Sequence, residues 1–188
     1  VTVPWLYFGI QFVAAPFFPG YSFFSMDAST LGSELALYPF IFNVGAIITG
    51  VVTLVASLGF LRGLVRLGIH PVLAGLVSLA VLLNGLGSLW AGFIPLPDPR
   101  HGANPFAIGI FLFPPLLTAA IWKRKDAHTL KVYLIITHLL FIALIPVMSG
   151  VIGIDTQSYQ GLLQRVAALI FYPPVGAGAT YLLNRIKT

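Results

Sequence analysis

The basic and acidic residues of this chain alternate from one gap between apolar segments to the next. Six apolar segments divide the sequence, and eight of its ten lysines and arginines lie in every second gap or at the C-terminus. The remaining gaps hold four of the five acids, namely Asp27, Glu34, Asp98 and Asp155. Membrane proteins keep Lys and Arg in their short cytoplasmic loops. The pattern therefore predicts a protein that crosses a membrane several times.

The composition supports this fold class. Hydrophobic residues make up 58% of the chain and charged residues 8%, whereas roughly a quarter of the residues in soluble domains are charged. Helices are expected because unpaired strands are excluded from lipid, and because the strict alternation of barrel strands is missing. We therefore predict an all-α integral membrane protein, a bundle of six transmembrane helices, with residues 1–188 as a single domain.

The span boundaries follow from hydropathy, since roughly 20 apolar residues cross the hydrocarbon core. The six spans are expected near 3–18, 40–61, 72–94, 105–122, 132–153 and 166–184. Charge places both termini in the cytoplasm together with the loops 62–71 and 123–131; the segments 19–39, 95–104 and 154–165 then face out, and the location is the cell membrane. The first span has no preceding positive segment, so we expect a retained helix rather than a cleaved signal peptide.

Two of the spans contain proline pairs, Pro114-Pro115 in the fourth and Pro173-Pro174 in the sixth. Proline removes a backbone donor and clashes with the preceding turn, so both helices are expected to bend. The bends would border a cavity, although proline is also commoner in membrane helices for reasons of packing. Small residues four apart, such as Ala46 and Gly50, predict close helix packing within the chain.

Arg165 is the candidate charge of an outward-facing site. It stands where the sixth span begins, and an arginine at membrane depth is costly unless it is paired or hydrated. Glu34 is the first expected partner and Asp98 the second. The pair would either be a structural ion pair that closes the outer helix ends, or leave the arginine to bind an anion or a lipid headgroup.

Other polar residues are expected at similar depth. Asn43 lies near the outer end of the second span, Asn84 in the outer half of the third, and His101 in the second outer loop. These three side chains would orient a ligand between apolar walls that include Phe113 and Tyr172. The predicted ligand-binding residues are thus Arg165, Glu34, Asp98, His101, Asn43, Asn84 and Tyr172.

Several short motifs follow one another in a characteristic order. They are Ser29-x-Leu31-Gly32, Phe42-Asn43-x-Gly45 continuing to Gly50, Gly92-Phe-x-Pro95, His101-Gly102 and Gly161-x-x-Gln164-Arg165. In this order, over nearly the whole chain, the sequence resembles the DUF998 family of prokaryotic six-span membrane proteins. The resemblance implies the fold and no activity. The chain departs from the family pattern at Thr30, where members often carry an acid, and at Asn104-Pro105, where a second histidine often follows.

No cofactor and no metal are expected. The chain has no cysteine, and a catalytic zinc needs three protein ligands, whereas His101 is the one histidine predicted to face out. His128 and His138 are about 15 Å apart along a helix, so they cannot share one haem iron. His138 is instead expected to hydrogen-bond to a neighbouring helix, with Thr137 or Ser57 near in depth.

Three functions remain open at the level of sequence. The first is binding, sensing or moving a lipid or small amphiphile in an outward-opening pocket. The second is an intramembrane hydrolase that acts on lipid-like substrates through His101 and the outer acids, so enzymatic activity is left undecided. The third is an accessory subunit of a membrane complex or a homo-oligomer. Nucleic acid is not an expected partner, because the positive charges are spread over three short cytoplasmic segments.

Overall fold

The computed structural model describes residues 1–153 and 155–186, and this part of the chain contains α-helices and short 3-10 turns but no strands. Six α-helices follow one another: α1 (Val3–Ala14), α2 (Pro39–Arg66), α3 (Pro71–Phe93), α4 (Ile108–Ala120), α5 (His128–Met148) and α6 (Gln160–Ile186). Neighbours in sequence pack against each other, and α6 also packs on α1 and α2. The six-helix count and the all-helical class agree with the prediction.

Four helices, α2, α3, α5 and α6, are long and apolar enough to cross a membrane. The predicted first and fourth spans are shorter than expected. α1 has 12 residues, continued by the 3-10 turn Ala15–Phe17 that contains Pro16. α4 begins at residue 108 rather than 105, because the Asn104 side chain accepts a hydrogen bond from the amide of Phe106 and forms a turn there. α6 begins earlier than predicted, at residue 160.

The two ends of the bundle differ in composition. The loop-rich end carries the connections 18–38, 94–107 and 149–159, and the opposite basic end carries the connections 67–70 and 121–127 with the end of α6. At the basic end Asp126 forms ion pairs with Arg124 (3.2 Å) and Arg185 (2.9 Å), and it accepts a hydrogen bond from Tyr181. These contacts connect the α4–α5 turn to the last turns of α6.

Glycines allow the central helices to approach at backbone distance. A Cβ on Gly50 would lie 2.9 Å from the carbonyl oxygen of Gly85 on α3, and one on Gly92 would lie 2.8 Å from that of Asn43 on α2. The α3–α4 contact depends on Gly109, where a Cβ would lie 2.5 Å from the carbonyl oxygen of Ala80. The prediction that small residues pack helices within the chain is confirmed at Gly50 and Gly92.

The main hydrophobic core lies towards the basic end, between α2, α3, α4 and α6. Phe60 and Phe113 are almost fully buried there and meet edge to face, with 5.3 Å between ring centroids. Phe113 was expected to form a wall of the ligand site at the other end, and that expectation is wrong. Its ring turns toward Phe60 because α4 packs it into this core.

Both proline pairs lie inside continuous helices, at Pro114-Pro115 in α4 and Pro173-Pro174 in α6. Pro115 lines a groove beside α5, and Pro173 lines a separate depression beside α1. The expectation that both pairs border one cavity is therefore wrong, because the two helices present them on different sides of the bundle.

Candidate functional site

Arg165 binds the first loop of the loop-rich end. One terminal nitrogen donates hydrogen bonds to the carbonyl oxygens of Phe23 (2.9 Å), Met26 (3.0 Å) and Gly161 (2.7 Å), and the other donates to the hydroxyl of Tyr21. The guanidinium also lies over the Phe23 ring, 4.8 Å from its centroid. Tyr21 in turn donates to the carbonyl oxygen of Asp27. Arg165 therefore donates to the carbonyls of Phe23 and Met26, which belong to no helix or strand.

The other residues of the Gly161-x-x-Gln164-Arg165 motif also contact this loop. The side chain of Gln164 accepts a hydrogen bond from the amide of Ala28 at 2.6 Å. Gly161 leaves room for the loop, since a Cβ there would overlap the backbone of Met26 and Phe23. Asn43 acts similarly from α2, where its amide nitrogen donates to the carbonyl oxygen of Gly32 at 2.9 Å. These motifs hold segment 21–32 against the helix ends.

The predicted acid partners of Arg165 are wrong. Glu34 is exposed, and no ion pair joins it to Arg165 among residues 1–153 and 155–186. Asp98 instead pairs with Arg100 at 2.6 Å, and the hydrogen bonds from Arg100 lower the pKa of Asp98 to about 2. The physical reason is that loop carbonyls, which sequence reasoning did not consider, accept hydrogen bonds from a terminal nitrogen of the guanidinium, while its Nε is buried without a partner.

Asp27 is the acid whose ionisation responds to Arg165. Burial raises the pKa of Asp27, while the hydrogen bond from Gln160 (2.7 Å) and the charge of Arg165 oppose the rise. Three polar side chains of α6, at positions 160, 164 and 165, therefore contact or influence the same loop. The loop-rich end is closed by this network and not by a Glu34 ion pair.

A cavity of about 200 Å³ lies under this loop, among α1, α2, α3, α6 and the start of α4. We call it the amide cavity, because the side chains of Asn84, Asn104 and Gln164 line it. Further polar lining residues are Ser29, Thr49, Ser88 and His101, and the aromatic ones are Tyr7, Phe42, Phe106 and Tyr172. In this cavity the fold brings together three of the seven predicted site residues, Asn84, His101 and Tyr172.

The polar side chains that line the amide cavity are held in place by further contacts with the protein. Nδ1 of His101 lies 2.6 Å from the carbonyl oxygen of Ile94. A carbonyl only accepts, so Nδ1 carries a proton, and in the neutral ring with this tautomer Nε2 is an acceptor. The amide nitrogen of Asn104 donates to the carbonyl oxygen of Gly87 at 3.1 Å. Tyr172 stacks on Tyr7, with 4.1 Å between ring centroids.

The other predicted site residues lie outside the cavity wall. Arg165 and Asn43 hold the loop that covers it, whereas Glu34 and Asp98 are at the surface. Sequence reasoning missed Tyr7, Thr49, Ser88, Asn104 and Gln164. Gln164 could have been found from its motif. The others could not be found from hydropathy, because hydrophobicity shows no helical period along α2 or α6.

His138 also differs from its prediction. Its Nδ1 is buried without a hydrogen-bond partner, and its ring contacts Phe111, 4.9 Å away. Thr137 and Ser57 donate to carbonyl oxygens of their own helices, so they do not bind it. Within the described part of the chain, no three His, Cys, Asp or Glu residues lie close enough together to hold a metal.

Four apolar helices of spanning length indicate an α-helical membrane protein, and a cavity with polar side chains in its lining lies between its helices. The chain belongs to the DUF998 family, described as a protein of unknown function, whose pattern matches residues 1–181. The resemblance drawn from the short motifs is thereby confirmed. Comparison with the curated proteins and with the solved structures gave no match.

Proposed function

We propose that this protein binds the uncharged polar headgroup of a lipid or small amphiphile in the amide cavity, and senses or moves that molecule. The cavity would open to the outer side of a prokaryotic cell membrane. All six helices would serve as spans, with both termini in the cytoplasm. The observation that carries the proposal is a cavity whose lining includes amide, hydroxyl and imidazole side chains, between helices that are otherwise apolar.

The chemistry of the lining supports a neutral headgroup. Three amide side chains, several hydroxyls and Nε2 of His101 offer both donors and acceptors, whereas no Asp, Glu, Lys or Arg of the described residues lines the cavity. A buried charge without a partner costs far more than a buried hydroxyl or amide that is hydrogen-bonded. Glycerol-like or sugar-like hydroxyl groups fit this set of partners.

The size of the cavity sets how much of the ligand it holds. About 200 Å³ is below the range of roughly 300–1,000 Å³ that encloses drug-sized ligands. The headgroup would therefore be enclosed, and the apolar part would lie along Ile10, Phe42 and Ile110 at the apolar side of the lining.

The two alternative functions have less support. A hydrolase would need His101 paired with an outer acid, but the ring binds the Ile94 carbonyl and Asp98 binds Arg100. An accessory subunit or homo-oligomer would need an interface. The exposed aliphatic face of α5, which includes Ile135, Ile136 and Leu139, would be the place for one.

The topology can be tested by cysteine labelling in this cysteine-free chain. Single cysteines at the exposed positions Ser25, Ala103 and Ser158 are expected to react with an impermeant thiol reagent in intact cells. Cysteines at the exposed positions Thr129 and Asn184 should react only after the cells are opened. Ser33 and Ala127 lie in the same segments but are buried, so they are unsuitable for labelling. The opposite labelling pattern would place the amide cavity on the cytoplasmic side.

The amide cavity can be tested with three oleoyl probes in phosphatidylcholine nanodiscs: monooleoylglycerol, oleate and methyl oleate. Monooleoylglycerol is expected to raise the melting temperature most, because its hydroxyls can meet the cavity amides. Asn84→Leu should weaken its binding about tenfold, since a partner is lost inside a buried site. The matched control Asn184→Leu, at an exposed position, should leave binding unchanged. Equal shifts with all three probes would contradict a hydroxyl-recognising cavity.

A further inference from the structure

A second and larger cavity lies at the basic end, between α3, α4 and α5. Its volume is about 890 Å³, within the range of pockets that bind small molecules. Leu73, Pro115, Leu134, Ile135 and Leu139 supply apolar walls, and the connections 67–70 and 122–124 form its rim. We call it the basic groove. It shares no lining residue with the amide cavity.

Two buried polar atoms without partners belong to residues that line the basic groove. Oγ1 of Thr118 on α4 and Nδ1 of His138 on α5 make no hydrogen bond, and Thr118 is only 8% exposed. A buried polar group left unpaired costs about 1–3 kcal/mol. Helical threonines usually donate to a carbonyl one turn earlier, as Thr49 and Thr53 do on α2. The two atoms therefore indicate a ligand that supplies oxygen or hydroxyl partners.

The rim of the basic groove carries positive charge. Lys123 and Arg124 line it, and in the described part of the chain no Asp or Glu does. His70 also lines it, where its Nδ1 accepts a hydrogen bond from the amide of Val72. Arg124 is bound to Asp126, whereas Lys123 is exposed and makes no hydrogen bond or ion pair within residues 1–153 and 155–186. A free ammonium at the mouth of an apolar groove favours a ligand with an anionic head and an apolar tail.

We propose that the basic groove binds an amphiphile with an anionic headgroup and an acyl chain. The headgroup lies at Lys123, the chain lies along the apolar walls, and oxygen atoms next to the headgroup meet Thr118 and His138. Thr118 lies two residues before the end of α4 and Lys123 lies three residues after it, so both border the same end of the groove. This site is independent of the proposed function, because it differs in place, residues and ligand charge.

The test uses Trp122, which lines the groove, as a fluorescent reporter. The chain has three tryptophans, so the W5F/W90F variant leaves Trp122 alone. The protein is placed in phosphatidylcholine nanodiscs, and brominated phosphatidylglycerol, phosphatidylcholine or stearate is titrated in. Bromine quenches tryptophan on contact. Phosphatidylglycerol tests the membrane's own anionic lipid, and stearate tests a free fatty acid.

We expect an anionic probe to quench Trp122 with about fivefold higher affinity than brominated phosphatidylcholine, the effect of roughly one basic residue near a membrane. Lys123→Gln should remove this preference. Lys125→Gln, two residues away, exposed and outside the lining, should keep it. Thr118→Val, which preserves shape, should weaken the anionic probe about threefold or more.

A second measurement does not depend on the tryptophan variants. Native mass spectrometry of the otherwise unchanged chain should find anionic lipid retained, and Ala119→Phe, which fills the groove, should release it. Ala143→Phe, at an exposed position on α5 outside the groove, should not. Equal quenching by charged and neutral probes, or retention that Ala119→Phe does not change, would overturn the proposal.

Discussion

Replacing Arg165 with glutamine is expected to lower the free energy of unfolding by about 3 kcal/mol, because charge-assisted hydrogen bonds to loop carbonyls are lost. For a chain of this size that corresponds to a fall in melting temperature of roughly 6–12 °C. Arg165→Lys should recover only part of the loss, since a single ammonium cannot reach the Phe23 and Met26 carbonyls and the Tyr21 hydroxyl together. Thermal unfolding in nanodiscs measures both changes.

Arg100→Gln is the control for the loss of one positive charge at the same end. Its side chain is 70% exposed and its partner Asp98 is at the surface, so the melting temperature should change little. Glu34→Gln should also have little effect, alone or combined with Arg165→Gln. Recovery of stability in that double variant would mean that Glu34 does pair with Arg165 and that the loop carbonyls are secondary.

Gly109→Ala is expected to destabilise the protein by about 1–3 kcal/mol, because its methyl group would lie 2.5 Å from the carbonyl oxygen of Ala80 and 2.8 Å from the amide of Asn84. Backbone atoms cannot move aside as a flexible side chain can. α4 would have to shift away from α3, and α4 lines both the amide cavity and the basic groove. Binding of both classes of probe should therefore weaken together.

The matched control is Gly75→Ala on α3, where a Cβ would meet nothing within 4 Å. The change from glycine to alanine inside an open helix should stabilise it by about 0.5–1 kcal/mol. Opposite signs for the two glycines, read from melting temperatures, would support the close α3–α4 approach. A neutral result at Gly109 would show that the helices are further apart.

The fold could be predicted from the sequence because hydropathy and charge act on whole segments. Long apolar runs became α2, α3, α5 and α6, with ends no more than six residues from their expected limits. The start of α4 was missed by three residues, because it depends on a single contact, the Asn104 side chain that forms a turn before it. A hydropathy window averages over such single hydrogen bonds.

The candidate site was predicted less completely. Depth along a span can be estimated from sequence, so Asn84, His101 and Tyr172 were placed near one another. The partner of Arg165 was predicted wrongly, because only acidic side chains were considered as acceptors and backbone carbonyls were not. Carbonyls carry no sequence signal, and any residue type could have supplied them.

The basic groove had no sequence signal of its own. His138 was assigned a neighbouring partner because a lone polar residue in a span usually has one. That Thr118 and His138 both lack a partner depends on the rotation of α4 and α5, and on the gap that α3 leaves beside them. Residue spacing predicts neither the helix rotation nor the gap, because hydrophobicity does not distinguish the faces of these helices.

The helices differ widely in length, and this affects the lipid around them. At 1.5 Å per residue α1 and α4 measure about 18–20 Å, while α2 and α6 measure about 40 Å. Trp5, Phe12 and Val13 of α1 are exposed on the perimeter. Hydrophobic mismatch costs a fraction of a kcal/mol per ångström. The helices thus differ about twofold in length, and we expect thinner lipid beside the side that carries α1.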